Sequence, residues 1–258
     1  MDRNNIPRLI FCSGMTRSAS RWSYETCQEL EKRQTPADKF SKGYLGENKN
    51  FIDSTIAKIL TLNDGAAVFA SHAFSPRALE IIKHGIAKNI YTHRDPRDSI
   101  ASSMRMDHEG YAHAFSKIAI SLNLFDKFLE DGNSLILAYS NILKKPLAVT
   151  AAISEYLEIE LTSAELTAIN AETQRLAIQR RNEQRRKSAT NPDDVKVIDQ
   201  GLETLHGRTS DAPDVINPWR YSALTETDYI DATRRLRPWL KKMNYSTLEI
   251  PPWKKETK

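Results

Sequence analysis

Two stretches of this sequence concentrate groups that bind anions. The first is Gly14 to Trp22, GMTRSASRW. Its small residues Ser18, Ala19 and Ser20 let an oxyanion approach the backbone closely. Arg17 and Arg21 supply full positive charges, and the hydroxyls of Ser18 and Ser20 supply donors. Where such a stretch opens a helix, the unpaired N–H groups of the first turn and their positive partial charge complete an anion cradle. The triphosphate pattern GxxxxGK[ST] is absent, because the spacing is shorter and no GK[ST] follows. The second stretch is His93 to Ser102, HRDPRDSIAS. Asp95 suits a helix N-cap and Pro96 the first helical position. Arg94 is thereby held at the helix entrance, where its fork can grip a phosphate, and Ser102 adds a hydroxyl. Asp95 and Asp98 are also possible ion-pair partners for Arg94.

Both stretches follow short apolar runs that read as buried strands: Arg8 to Ser13 before the first, Lys88 to His93 before the second. Ala66 to Ser71 and Ser134 to Tyr139 are further strands by the same pattern. Ser20 to Arg33 lacks Gly and Pro and aligns Ser23, Cys27 and Leu30, so it predicts a helix. Phe115, Ile118, Leu122, Phe125 and Leu129 recur at helical spacing. Thr162 to Glu165 forms a capping box, and Thr225 to Asp228 resembles another, before a helix that Pro238 ends or kinks. Strands alternating with long helices predict an α/β fold of three layers, α/β/α, around a central parallel sheet. Ligands bind such sheets outside the carboxyl ends of the strands.

The chain has 258 residues, 40% hydrophobic and 27% charged, which excludes wholesale disorder. One domain over residues 1–248 is expected, with residues 188–218 as a long loop or lid and 249–258 as a tail. The net charge of +4 fits an anionic ligand and is too small to predict nucleic-acid binding. Cys12 and Cys27 allow at most one disulfide, and no apolar run approaches a membrane span. A soluble, cytoplasmic protein is expected. Residues 175–187, RLAIQRRNEQRRK, carry six basic residues and one acidic one, a run that reads first as a solvated helix face.

The first stretch resembles the 5′-phosphosulfate loop of sulfotransferases, P-K/R-S-G-T/S-T-W. Arg17 stands at the basic position, Ser18 at the Ser, Ala19 at the Gly, Ser20 and Arg21 at the hydroxyl pair, and Trp22 at the Trp. With Ala in place of Gly, residue 19 must keep φ negative or bear strain. The second stretch resembles the family's 3′-phosphate motif, R-x-P-x-D-x-x-x-S, through Arg94, Pro96, Asp98 and Ser102. His72 matches the His of a K-x-H segment that supplies the catalytic base, with Ala70 where that segment has Lys. His108 and Glu47 are the rival bases. Tyr139 matches a Tyr bordering the nucleotide, and the resemblance of the later segment to the closing loop implies Arg208 as an additional 3′-phosphate ligand.

The resemblance implies a P-loop nucleotide-binding fold. It also implies transfer of a sulfuryl group from 3′-phosphoadenosine 5′-phosphosulfate (PAPS) to a hydroxyl or amine. The acceptor would be a small molecule, glycan or lipid; no metal is required and no nucleic acid is expected. Two other readings are a P-loop kinase or nucleotide hydrolase, and a non-enzymatic anion or nucleic-acid binder using residues 175–187.

Overall fold

The computed structural model describes residues 7–62, 64–174, 223–249 and 251. Arg208, the basic run 175–187, the 188–218 segment and most of the expected tail lie outside them.

Five strands form one sheet: β1 (Arg8–Gly14), β2 (Phe40–Tyr44), β3 (Ala66–Ala70), β4 (Ala87–His93) and β5 (Ser134–Ala138). The order is β2-β3-β1-β4-β5, and every pairing is parallel. The expected α/β architecture is therefore present. β1 lies at the centre, paired with β3 on one side and β4 on the other, so the chain changes direction across the sheet at β1. That crevice is where an open parallel sheet receives ligands. Strands β1, β3, β4 and β5 all release their next loop at this same carboxyl edge.

Alternation along β1 sends its side chains to two separate cores. Leu9 and Phe11 enter a core with Ile52 and Ile56 of α2 (Lys49–Leu60) and Ile82 of α3 (Pro76–Lys83). Ile10 and Cys12 enter the other, with Cys27 and Leu30 of α1 (Ser20–Glu31) and Ile153 of α7 (Pro146–Tyr156). Helices on both faces of a parallel sheet give the three layers. The predicted helix over Ser20 to Arg33 is α1, and Ser23, Cys27 and Leu30 are all buried on it.

Helix starts follow their capping chemistry. Asp95 accepts from the Arg97 N–H ahead of α4 (Pro96–Asp107), with Pro96 in the first turn. Both expected capping boxes are formed, at Thr162 before α8 (Ser163–Thr173) and at Thr225 before α9 (Glu226–Arg235). Pro238 stands in the first turn of α10 (Arg237–Lys242), directly after α9 ends. A short helix, α6 (Tyr139–Lys144), begins where β5 stops, so Tyr139 opens a helix and does not close the strand.

The apolar stripe of α5 (Tyr111–Asp131) holds at Phe115, Ile118, Leu122 and Phe125 but not at Leu129, which is 45% exposed; Phe128 is buried instead. The helix changes partners along its length. Its first half packs with α4, α9 and α10, its second half against the sheet, and the buried face turns accordingly. Among the described residues no helix is long and apolar enough to cross a membrane.

Candidate functional site

The loop between β1 and α1 is held by a serine turned inward. Ser18 Oγ lies 2.5 Å from the Met15 carbonyl, 2.8 Å from the Thr92 carbonyl and 2.7 Å from Thr92 Oγ1. It is fully buried. The expectation that this hydroxyl donates to a bound anion is therefore corrected: it ties the loop to β4. The junction leaves no room beneath it. A Cβ on Gly14 would stand 2.2 Å from Thr92 Oγ1 and 2.8 Å from the Thr92 carbonyl.

Arg17 and Ala19 both adopt left-handed backbone, at φ 68° and 72°. Of the two outcomes open to Ala19, the structure takes the strained one. Left-handed backbone costs an L-residue about 1–2 kcal/mol. The turn brings Ala19 to the N-cap of α1, where no side chain caps the helix. Backbone N–H groups of the first turn are thus left for something else to satisfy. Ser20 is the first residue of that turn, and its hydroxyl has no partner among the described residues. Alternating handedness ahead of a helix N-terminus is the geometry of an anion-binding nest.

Not every residue of the motif faces this nest. Arg21 turns along its own helix, 2.9 Å from Glu25 Oε1 and stacked over Tyr24. Trp22 packs against the core beneath α1. Neither joins Arg17.

Arg94, the first residue after β4, does. Its Nη1 donates to the Arg17 carbonyl at 3.1 Å. Its Nη2 lies 3.0 Å from Asp98 Oδ2, one helical turn away. The guanidinium carbon stands 4.9 Å from the centre of the Tyr139 ring. Three contacts from three elements therefore fix one side chain, which is mostly buried. Of the two carboxylates available, Asp98 pairs with Arg94, while Asp95 caps the helix and pairs with Arg97 at 2.6 Å. Ser102 lies farther along α4, nearly buried, and its hydroxyl engages no partner among the described residues.

His72 follows β3 and approaches the loop from the other side. Its Nδ1 lies 3.0 Å from the Gly14 carbonyl. A carbonyl only accepts, so Nδ1 carries the proton and Nε2 keeps its lone pair. Burial lowers the pKa below 6.5, outweighing the opposing effects of the Gly14 carbonyl and Glu47; Lys117 adds to the lowering. The ring is therefore neutral at pH 7. Tyr44, at the end of β2, places its ring 6.5 Å from that of His72. Glu47 is exposed, near enough for its charge to act on both. His108 is exposed at the left-handed end of α4.

The structure thus assembles Arg17, Arg94, Tyr139 and His72 around one loop. Thr92 and Tyr44 were not legible as members. Thr92 reads only as a strand residue, and Tyr44 belongs to a strand whose sequence, FSKGY, has no apolar alternation. Among the described residues no cluster of three or more His, Cys, Asp or Glu is placed to hold a metal.

No protein-family model matches the chain, and no curated sequence matches it either. Solved structures do. Mouse sulfotransferase SULT7A1, complexed with 3′-phosphoadenosine 5′-phosphate (PAP), aligns at TM-score 0.58 and 16% identity, over 94% of this chain and 86% of that one. Retinol dehydratase in complex with androsterone and PAP aligns at TM-score 0.57 and 14% identity, over 90% and 80%. The chain shares the fold of these proteins.

Proposed function

We propose that this protein is a sulfotransferase that takes its sulfuryl group from PAPS. The observation that carries the reading is the contact between the two arginine-bearing loops, Arg94 Nη1 to the Arg17 carbonyl. It pins the Arg94 side chain to the backbone of the Arg17 loop, so the loops that follow neighbouring strands β1 and β4 are joined and each carries one arginine. A nucleotide phosphorylated at both ends needs such a pair. The likeness to structures that contain PAP supports the same ligand.

In this reading the nest after β1 holds the 5′-phosphate, and Arg17 neutralises the oxygen that leaves sulfur. Arg94 and Ser102 hold the 3′-phosphate, with Tyr139 as a flat neighbour to the nucleotide. His72 Nε2 takes the acceptor's proton as its oxygen or nitrogen attacks sulfur. The bond from sulfur to the phosphate oxygen breaks in line, and PAP leaves. The protein's contribution is positioning and fixed charge. An acceptor held between Tyr44 and His72 would lie on the correct side of the loop.

Calorimetric titration tests the donor site without knowledge of the acceptor. PAP should bind well and ADP, which lacks the 3′-phosphate, at least 10-fold more weakly. Equal affinity for the two, or none for PAP, overturns the reading.

A further inference from the structure

Arg17 has a second charged neighbour. Its Nη2 lies 3.6 Å from Oδ1 of Asp107, the last residue of α4. The other carboxylate oxygen of Asp107 accepts from Ser103 Oγ at 3.0 Å and from Lys117 Nζ at 3.1 Å. Lys117, on α5, is itself shared with Glu109 at 3.0 Å. One oxygen of Asp107 is thus pinned and the other is presented to Arg17. Burial pushes the Asp107 carboxyl up, but Lys117, Arg17 and Ser103 together hold it below its ordinary value, so it is ionised at neutral pH.

The contact to Arg17 is looser than a charge-assisted hydrogen bond of about 2.7–2.9 Å. Arg17 Nε, moreover, is buried and has no partner among the described residues. The arginine is restrained by a carboxylate while still holding a donor in reserve.

We propose that Asp107 is a positioning residue for Arg17 and serves as its stand-in anion. It neutralises the guanidinium while the nucleotide is absent and yields it to the 5′-phosphate on binding. Lys117 keeps the released carboxylate balanced. The exchange lowers nucleotide affinity and so favours product release. This inference rests on the reading of Arg17 as a 5′-phosphate ligand.

The test is PAP titration of the full chain in five forms: wild type, Asp107→Asn, Lys117→Met, Arg17→Met and the Arg17→Met/Asp107→Asn double variant. Asp107→Asn should bind PAP about 3-fold tighter, the scale of a partly exposed ion pair no longer given up on binding. Lys117→Met should bind more weakly, because Asp107 is then left to Arg17 alone. In the Arg17→Met background the Asp107→Asn gain should vanish. A packing lesion would move both single variants the same way and would persist in that background. Unchanged or weaker binding by Asp107→Asn overturns the inference, as does a gain that survives the loss of Arg17. If thermal melts show Asp107→Asn unfolded, Lys117→Met decides: weaker binding supports, unchanged or tighter binding overturns. Wild type that fails to bind PAP removes the sulfotransferase reading and this inference with it. Wild type that binds, with Asp107→Asn unaltered, removes only the inference.

Discussion

Arg94 and His72 divide the proposed chemistry between binding and proton transfer, so they should fail differently when changed. Arg94 is fixed by the Arg17 carbonyl, Asp98 and the Tyr139 ring before any nucleotide arrives. Its loss removes a preorganised donor and leaves the Asp98 carboxylate facing the 3′-phosphate. Arg94→Ala should therefore weaken PAP binding at least 10-fold in titration, with ADP affinity little changed. An equal loss for both nucleotides would place Arg94 elsewhere. His72 should govern turnover and its pH dependence. Burial lowers its pKa, so the base-competent neutral form persists below pH 6.5 and is lost only as acid protonates it. The acid limb of the rate profile should fall below that pH, read from PAP release with any acceptor found to turn over. His72→Gln should lower the rate about 10²-fold or more and abolish the limb. Both residues were legible because their types follow strand ends. The inward turn of Ser18 was not, since a hydroxyl's direction depends on Thr92, far away in sequence.

The loop between β1 and α1 is an element under strain. Ala19 at φ 72° and Gly14 wedged beneath Thr92 represent opposite situations. At residue 19 the backbone wants a glycine and has an alanine; at residue 14 it has the glycine it requires. Ala19→Gly should therefore stabilise the protein, by about 0.5–1 kcal/mol, since it relieves left-handed strain and is also better tolerated at an N-cap. Thermal unfolding should show a rise of about 1–4 °C. A fall would mean that the loop's rigidity, held by Ser18, is not paid for in backbone strain. The resemblance in sequence framed the two possibilities at Ala19, but only the fold could choose between them, because the choice follows from the close approach of β4. Strand β2 was invisible for a related reason. An edge strand with one neighbour is specified by backbone pairing to β3 more than by side-chain pattern, and FSKGY carries little pattern to read. The capped helices, by contrast, declared their starts through local chemistry that needs no tertiary context.

At the scale of the whole molecule, the sheet, α5 and the C-terminal segment meet at His93, the residue before Arg94. Its ring packs 5.4 Å from Phe125 of α5 and 6.2 Å from Tyr245, whose hydroxyl stands 3.5 Å from Nδ1. Burial lowers its pKa to about 4, against an ordinary value of 6.5. The folded state thus binds this proton less readily than the unfolded chain does. Stability from His93 is therefore full above pH 6.5 and is lost progressively as pH falls toward 4. Linkage sets the limit of that loss at about 3 kcal/mol, of which about 2 kcal/mol is gone by pH 5. His93→Phe keeps an aromatic ring between Phe125 and Tyr245 but has nothing to protonate. Denaturant unfolding at pH 7.5 and pH 5 should show a smaller loss in the variant than in the wild type, by about 2 kcal/mol. Carboxylates elsewhere titrate in both proteins and cancel in that difference. Equal losses would show that His93 is protonated without cost, and hence that the C-terminal segment does not seal it from water. The smaller loss in the variant would mean that acid loosens the same junction that holds Arg94, so that nucleotide binding and global stability decline together on acidification.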